Sequence, residues 1–229
     1  MVSSLSPIIP GPVRAVIFDL DGTLMDTACE IDAALARTFA ERGIAPLARR
    51  EVDALIGRGM RSLVERALAL RGKSAGVDAV VGRFEHHYAD LVGTEARLFP
   101  RVAEGLELLR ARNRKLAVVT NKPRMFTEKL LERAGVAGFF GTVVAGDDGI
   151  PRKPAGDMLV AACRQMGSKP AEALMLGDSD NDVAAARAAG CPVWCVPYGY
   201  NEGRPPETLA CDRMVETVED AARLVIVAP

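Results

Sequence analysis

The sequence has no apolar segment long enough to cross a membrane, because none approaches the roughly 18 consecutive residues that a transmembrane helix needs. No basic region precedes an apolar stretch at its N-terminus, and three prolines interrupt residues 1–13. We expect residues 1–13 to be a flexible lead. These features predict a soluble protein with no membrane partner.

Cysteine is also scarce, with five residues at irregular spacing, which is not the pattern of a disulfide framework. Reduced thiols in the cytoplasm explain this usage better. Cys191 and Cys195 could supply half of a metal site, but no second pair of cysteines or histidines follows at zinc-site spacing. We therefore expect ordinary thiols and a cytoplasmic protein.

Neither sign of charge dominates, since 30 acidic residues face 29 basic ones and the formal net charge is −1. This balance argues against a nucleic-acid partner and against a polybasic membrane binder. The 49% hydrophobic content is typical of a globular protein. Lysine is rare, with 6 residues against 23 arginines, so a lysine at a strand end is more informative here than usual.

Short, continuously apolar runs alternate with segments of helical periodicity along most of the chain. Because such runs are typical of strands buried on both faces, they predict an α/β fold with a doubly wound parallel sheet. The predicted strands are 14–18, 115–119, 142–145, 173–176 and 192–196. The predicted helices between and after them are 102–112, 125–134, 156–166, 182–189 and 218–225.

One interval breaks this alternation, because residues 25–96 contain helical patterns only, the best of them at 31–41, 60–70 and 77–91. The interval is far longer than an ordinary strand-to-helix connection. We interpret it as a helical cap domain inserted after the first strand. The catalytic α/β core would then comprise residues 14–24 and 97–229.

Four polar clusters follow the predicted strands, at the sheet edge where open α/β folds bind ligands. Asp19 and Asp21, followed by Gly22 and Thr23, come after the first strand. Two carboxylates this close repel each other unless a cation or a proton intervenes, and a carboxylate can attack phosphorus. The competing interpretation is a simple Asp-Gly turn.

The other three clusters offer groups that bind phosphate or metal. Thr120 and Asn121 could hydrogen-bond phosphoryl oxygens or cap a helix, and Lys153 could neutralise a phosphate or lie in a solvated loop. An acidic run that includes Asp178 and Asp182 provides hard oxygen ligands for Mg²⁺, although one acidic residue there could be a helix cap. Together the four clusters predict Mg²⁺-assisted phosphoryl transfer.

The order of these motifs, DxDGT, TN, KP and GDSxxD, resembles the haloacid dehalogenase superfamily of phosphohydrolases from about residue 13 to 218. The resemblance implies a Rossmann-like core, an aspartyl-phosphate intermediate and bound Mg²⁺. It also implies the following roles: Asp19 as nucleophile and metal ligand, Asp21 as acid/base and as metal ligand through its carbonyl, Thr120 and Lys153 as catalytic phosphate-binding groups, Asp178 as metal ligand, Asp182 as a supporting residue, and Gly22, Thr23 and Asn121 as substrate-binding residues.

Within this superfamily the chain looks most like the phosphoglycolate phosphatase branch. Gly57, Arg58 and Gly59 resemble its substrate loop in the cap, although Arg58 replaces the usual Asn and could grip a substrate carboxylate. Residues 198–201 resemble a signature beyond the last strands. The predicted partner is a small phosphorylated metabolite. A sugar-phosphate phosphatase, a phosphomutase and a non-catalytic phospho-ligand-binding module stay as alternatives, as do a monomer and a homodimer.

Overall fold

A computed structural model describes residues 12–227, so residues 1–11 of the predicted flexible lead lie outside the described residues. Within that range the strands are Ala15–Phe18 (β1), Met25–Asp26 (β2), Arg97–Leu98 (β3), Lys115–Val119 (β4), Thr142–Val144 (β5), Ala173–Gly177 (β6), Val193–Cys195 (β7) and Arg213–Met214 (β8). The α-helices are Ala28–Ala40 (α1), Arg49–Asp53 (α2), Met60–Leu70 (α3), Val77–Leu91 (α4), Val102–Ala111 (α5), Arg124–Arg133 (α6), Asp157–Met166 (α7), Asp180–Ala189 (α8) and Val218–Val227 (α9).

Six strands form one parallel sheet in the order β5-β4-β1-β6-β7-β8. Its two faces are both covered, which explains why β1 is apolar at every position. Val16 and Phe18 belong to the hydrophobic cluster that contains α5 and α9, whereas Ala15 and Ile17 belong to the cluster that contains α7 and α8. The predicted doubly wound α/β fold is confirmed.

The topology fixes where ligands can bind. The chain runs from β1 outward to β4 and β5, then returns to the other side of β1 as β6. The direction of strand addition therefore reverses beside β1, and crevices at such a reversal open at the carboxyl ends of the strands. The residues that follow β1, β4 and β6 meet at this edge.

Several short elements escaped the sequence prediction. β8 has only two residues, at the sheet edge, and no apolar run marks it. β2 and β3 pair antiparallel at the start and end of the inserted region, with Met25 opposite Leu98. Residues 25 and 26 are therefore strand rather than helix, because their backbone groups pair with the returning chain. Predicted strands 142–145 and 192–196 are each shorter in the structure.

Helices α1 to α4 lie between β2 and β3 in the sequence, and α4 packs against α1 and α3. α1 begins at Ala28, before the predicted start at residue 31, and the five-residue α2 was not predicted. The division into core and cap stays a prediction, and we use "cap" for residues 25–96. No helix among residues 12–227 is both long and apolar enough to span a bilayer.

Candidate active site

Three buried carboxylates meet at the edge of the sheet and form what we call the acid cluster: Asp19, Asp178 and Asp182. One oxygen from each lies within 4.8 Å of the others. Asp19 follows β1 and Asp178 follows β6, and these neighbouring strands run in register, with Phe18 opposite Leu176. The parallel pairing therefore brings together carboxylates that are far apart in the sequence.

Lys153 supplies the positive charge within this cluster. Its Nζ lies 2.8 Å from Asp19 Oδ1 and 2.7 Å from Asp182 Oδ1, and the lysine is only 4% exposed. Burial acts to lower the pKa of Lys153, but attraction to Asp182 and Asp19 outweighs it and raises that pKa. Lys153 is therefore a permanent cation between two carboxylates.

One ammonium does not balance three carboxylates, and their pKa values reflect this. Burial raises the pKa of Asp19 to about 7, with Lys153 opposing the rise and Asp182 adding to it. Burial and the neighbouring carboxylates also raise the pKa of Asp178 well above its usual range. The cluster therefore favours a further positive charge or retained protons.

Asp182 has little freedom to bind anything else, because its oxygens are already engaged. Its Oδ2 accepts hydrogen bonds from the N–H of Asp178 at 3.1 Å, from the N–H of Ser179 at 3.1 Å and from the Ser179 hydroxyl at 2.7 Å. Its Oδ1 accepts from Lys153. These contacts fit the supporting role predicted for it, as they fix both Lys153 and the start of α8.

Two positions next to Asp178, Gly22 and Gly199, have no room for a side chain. A Cβ on Gly22, whose φ is +93°, would lie 2.4 Å from Asp178 Oδ2, and one on Gly199 would lie 2.2 Å from Asp178 Cβ. Asp178 also accepts hydrogen bonds from the Thr23 hydroxyl and the Tyr200 N–H, both at 2.8 Å. The carboxylate is therefore held in one orientation.

Gly22 and Thr23, both predicted to bind substrate, have intramolecular partners in this structure. The Gly22 N–H donates to the Met25 carbonyl at 3.0 Å, and the Thr23 hydroxyl donates to Asp178. Their contacts stabilise the turn after β1 and orient a neighbouring carboxylate. A direct contact between either residue and substrate stays a prediction.

The donor set of the acid cluster fits a hard divalent cation. When all three buried carboxylates are ionised, one ammonium leaves an excess of two negative charges, and carboxylate oxygens are the ligands that such cations prefer. Asp19 and Asp178 are the members that could ligate, since Asp182 is committed to its own hydrogen bonds. Cys191 and Cys195 are free buried thiols outside this cluster.

A second ion pair involves Asp21, two residues after Asp19. Lys122 Nζ is 2.7 Å from Asp21 Oδ1 and 2.8 Å from Asp21 Oδ2. Thr27 also donates its hydroxyl to Asp21 Oδ1 at 2.6 Å, and the Lys122 ammonium lies 4.9 Å from the centre of the Tyr88 ring. The sequence prediction did not assign Lys122, although its place directly after Thr120 and Asn121, in a lysine-poor chain, was a usable signal.

Asn121 connects three parts of the site. Its side-chain Nδ2 donates to the carbonyl of Gly57 in the cap and to the carbonyl of Lys153, each at 2.9 Å. Thr120, which is 2% exposed, accepts a hydrogen bond on its hydroxyl from the Lys122 N–H at 3.2 Å. Asn121 therefore holds the cap loop and the Lys153 loop together at the end of β4.

A cavity opens between the sheet edge and the cap. The core contributes a polar wall and the cap a largely apolar one, which also contains Gly57 and Gly59. The polar wall consists of Asp19, Asp21, Thr120, Asn121 and Lys122, and the apolar residues opposite it are Ile31, Ile56, Met60, Leu63 and Phe84. Asp19 therefore belongs both to the acid cluster and to the wall of the cavity.

Arg58 does not line this cavity, although it lies between two glycines that do. Its guanidinium pairs with the carboxylate of Glu202, with one contact at 2.9 Å, and Arg66 approaches the same carboxylate at 3.8 Å. In this structure the guanidinium is therefore engaged by Glu202, and a contact between Arg58 and a substrate carboxylate stays a prediction.

The segment 198–202 explains the sequence signature beyond the last strands. Its Tyr200 N–H contacts Asp178, and the Tyr200 hydroxyl accepts from the Thr27 N–H at 2.9 Å and donates to Asp26 Oδ1 at 2.8 Å. Glu202 at its end reaches Arg58 in the cap. One short segment therefore touches the acid cluster, the entry to the cap and the cap loop.

Comparisons with known proteins place the chain in one family. Residues 16–196 match the family model described as haloacid dehalogenase-like hydrolase. The chain is 40% identical over 220 residues to the phosphoglycolate phosphatase of Thiobacillus denitrificans, covering 94% of this chain and 97% of that one. It is 41% identical over 220 residues to the enzyme of the same name from Nitrosospira multiformis, with the same coverage.

A solved structure gives the same result in three dimensions. The crystal structure of a predicted phosphoglycolate phosphatase from Haemophilus somnus superposes with a TM-score of 0.88 at 28% identity, covering 92% of this chain and 97% of that one. The family resemblance predicted from the four motifs is confirmed. The chain belongs to the haloacid dehalogenase-like hydrolase family.

Proposed function

We propose that the protein is a Mg²⁺-dependent phosphatase that hydrolyses a small phosphate monoester, with 2-phosphoglycolate as the substrate. The observation that carries this proposal is the position of Asp19, which faces the cavity on one side and Lys153 with Asp178 on the other. The names of relatives that are about 40% identical over nearly the whole chain support the choice of substrate.

In this proposal Asp19 is the nucleophile. Its carboxylate attacks phosphorus, the bond to the leaving alkoxide breaks, and an aspartyl-phosphate forms. Lys153 lies 2.8 Å from Asp19 and would stabilise negative charge on the phosphoryl oxygens together with the Thr120 hydroxyl. Asp19, Asp178 and the Asp21 carbonyl would hold Mg²⁺, which supplies positive charge to offset the phosphate and the acid cluster.

Asp21 would provide the proton transfers of both steps. In the first step it donates a proton to the leaving alkoxide, and in the second it takes a proton from the water that hydrolyses the aspartyl-phosphate. Its carboxylate lines the cavity beside Asp19, which is the position this role requires. The contact between Asn121 and Gly57 keeps the cap loop over the site, so bulk water would be excluded during the reaction.

The test is a panel of phosphate monoesters, including 2-phosphoglycolate and several sugar phosphates, assayed for phosphate release with and without Mg²⁺. We expect 2-phosphoglycolate to have the highest kcat/KM and a chelator to abolish turnover. A sugar phosphate as the best substrate would favour a sugar-phosphate phosphatase. An isomerised sugar phosphate without free phosphate would indicate a phosphomutase, and no hydrolysis of any ester would leave a binding module.

A cytoplasmic location also stays a prediction.

A further inference from the structure

The charges around the cavity are distributed unevenly. Among its described lining residues, Lys122 alone carries a positive charge, whereas Asp19 and Asp21 are both acidic. Lys153 is engaged by Asp19 and Asp182 and does not line the cavity. A second anionic group of the substrate, bound in the cavity next to the phosphate, would therefore meet one cation, the ammonium of Lys122.

Two arginines close to the cap loop, Arg58 and Arg152, do not line the cavity and already have partners. Arg58 is half exposed and paired with Glu202, while Arg152 donates to the carbonyl of Gly146. The cap side of the cavity is mainly apolar, and a carboxylate buried against apolar side chains without a counter-ion is strongly unfavourable. These contacts leave Lys122 as the group that a bound carboxylate would need.

Lys122 also lies close to Asp21, which limits the distance between the substrate groups that the two residues would bind. Its ammonium touches both oxygens of Asp21 at 2.7 and 2.8 Å, so the groups that bind to Lys122 and to Asp21 are neighbours. An ammonium has three hydrogen-bond donors, and Asp21 need not occupy all of them. A leaving oxygen beside Asp21 and a carboxylate beside Lys122 would then lie close together, which suits a compact substrate such as the ester of a short 2-hydroxy acid.

We propose that Lys122 determines specificity by binding the carboxylate of the substrate, and that it selects phosphate esters of short 2-hydroxy acids over esters without a carboxylate. This inference rests on the proposed phosphatase function and deepens it. It also reassigns to Lys122 the carboxylate contact that the sequence suggested for Arg58. Burial of the lysine, which is 4% exposed, would strengthen the contact by limiting competition from water.

The test compares 2-phosphoglycolate with ethyl phosphate, which has the same chain length but no carboxylate. Lys122→Met keeps the length and packing of the side chain and removes its charge. A buried ionic hydrogen bond is worth about 3 kcal/mol, and every 1.4 kcal/mol is tenfold, so we expect kcat/KM for 2-phosphoglycolate to fall by about 100-fold. We expect a much smaller loss for ethyl phosphate and partial recovery of selectivity in Lys122→Arg.

Equal losses on the two esters would overturn the inference, because they would show that Lys122 acts only on Asp21. Arg58→Ala is the rival variant, and we expect it to change kcat/KM equally on both esters. A loss confined to 2-phosphoglycolate in Arg58→Ala, with none in Lys122→Met, would return the carboxylate contact to Arg58.

A binding measurement separates this inference from the proposed function. In the Asp19→Asn background, which should not turn over, calorimetry can measure the affinity for 2-phosphoglycolate and ethyl phosphate with and without Lys122→Met. We expect the lysine to strengthen binding of 2-phosphoglycolate alone. Selective binding without hydrolysis in the wild-type protein would support the inference and contradict the phosphatase, whereas hydrolysis without selectivity would do the reverse.

Discussion

The ammonium of Lys153 lies 2.7 Å from Asp182 Oδ1, in a place where solvent reaches neither side chain appreciably. Because the same ammonium also neutralises Asp19, Lys153→Met would leave two buried carboxylates without their cation. Removing one partner of a buried ion pair costs about 3–5 kcal/mol. We expect a loss of that size in the free energy of unfolding without metal, measured by urea denaturation, together with loss of turnover.

Lys153→Arg is the matched control, since it keeps the positive charge in a larger and differently shaped group. We expect it to unfold at a higher urea concentration than Lys153→Met while recovering little activity. An unfolding free energy of Lys153→Met equal to that of the wild type would show that the lysine does not stabilise the cluster.

Asp19→Asn should abolish phosphate release while leaving the fold intact. The substitution removes the nucleophilic oxygen but nearly preserves shape, and Lys153 keeps its contact with Asp182. Asp180→Asn is a matched control in the same acidic run, because the side chain of Asp180 is half exposed and pairs with Arg204 outside the acid cluster. We expect near wild-type kcat/KM from that control. Sustained turnover by Asp19→Asn, with an unchanged circular dichroism spectrum, would exclude the nucleophile role.

The stability of the metal-free protein should fall as the pH rises from about 4 to about 7. Burial raises the pKa of Asp19 from 3.8 to about 7, so within this window the folded state binds more protons than the unfolded state. The raised pKa of Asp178 acts in the same direction. Chemical denaturation at several pH values after chelator treatment measures the slope, which Asp19→Asn should make shallower. Stability that rises with pH across this window would contradict the assigned burial effect.

The acid cluster illustrates how much of the site the sequence could predict. Asp19 and Asp178 follow the apolar runs of β1 and β6, and parallel strands bring their carboxyl ends to one edge, so their meeting follows from the pattern. The Lys153 contact followed from the family resemblance. These features depend on long, regular elements and on motif order, which a sequence records directly.

Other features depend on long-range contacts that leave little trace in the local sequence. The pairing of β2 with β3 joins residues some seventy positions apart, and each strand has only two residues. The ion pair between Arg58 and Glu202 was not predicted for the same reason, because Glu202 is distant in the sequence and belongs to the segment after β7. No role was predicted for Lys122, because its contact with Asp21 joins residues about a hundred positions apart.

Arg58 and Glu202 should act together in docking the cap loop. Their ion pair links the cap to the segment that also contacts Asp178 through Tyr200. Because Arg58 is half exposed, we expect the coupling free energy from a double-mutant cycle of Arg58→Ala and Glu202→Ala to be about 0.5–1 kcal/mol. Unfolding free energies of the four proteins measure it. Strictly additive effects of the two substitutions on the unfolding free energy would mean that the ion pair does not stabilise docking of the cap loop.

Glu30 should stabilise the end of the cap without affecting chemistry. It is 2% exposed, and its carboxylate accepts hydrogen bonds from the N–H groups of Gly93, Glu95 and Ala96 at 2.7–2.8 Å. Glu30→Ala would leave these donors without partners. At about 1–3 kcal/mol for each buried unsatisfied group, we expect a loss of roughly 3 kcal/mol or more in urea denaturation.

Glu30→Gln keeps one acceptor oxygen and should lose about half as much stability as Glu30→Ala, because part of the N–H set stays satisfied. Glu132→Ala removes an exposed carboxylate from α6 and is the control for losing a glutamate, so it should change the unfolding free energy by less than about 0.5 kcal/mol. Glu30 lines neither the cavity nor the acid cluster, so the folded fraction of each variant should keep the wild-type KM. A Glu30→Ala protein as stable as Glu132→Ala would show that water replaces the carboxylate at these three N–H groups without cost.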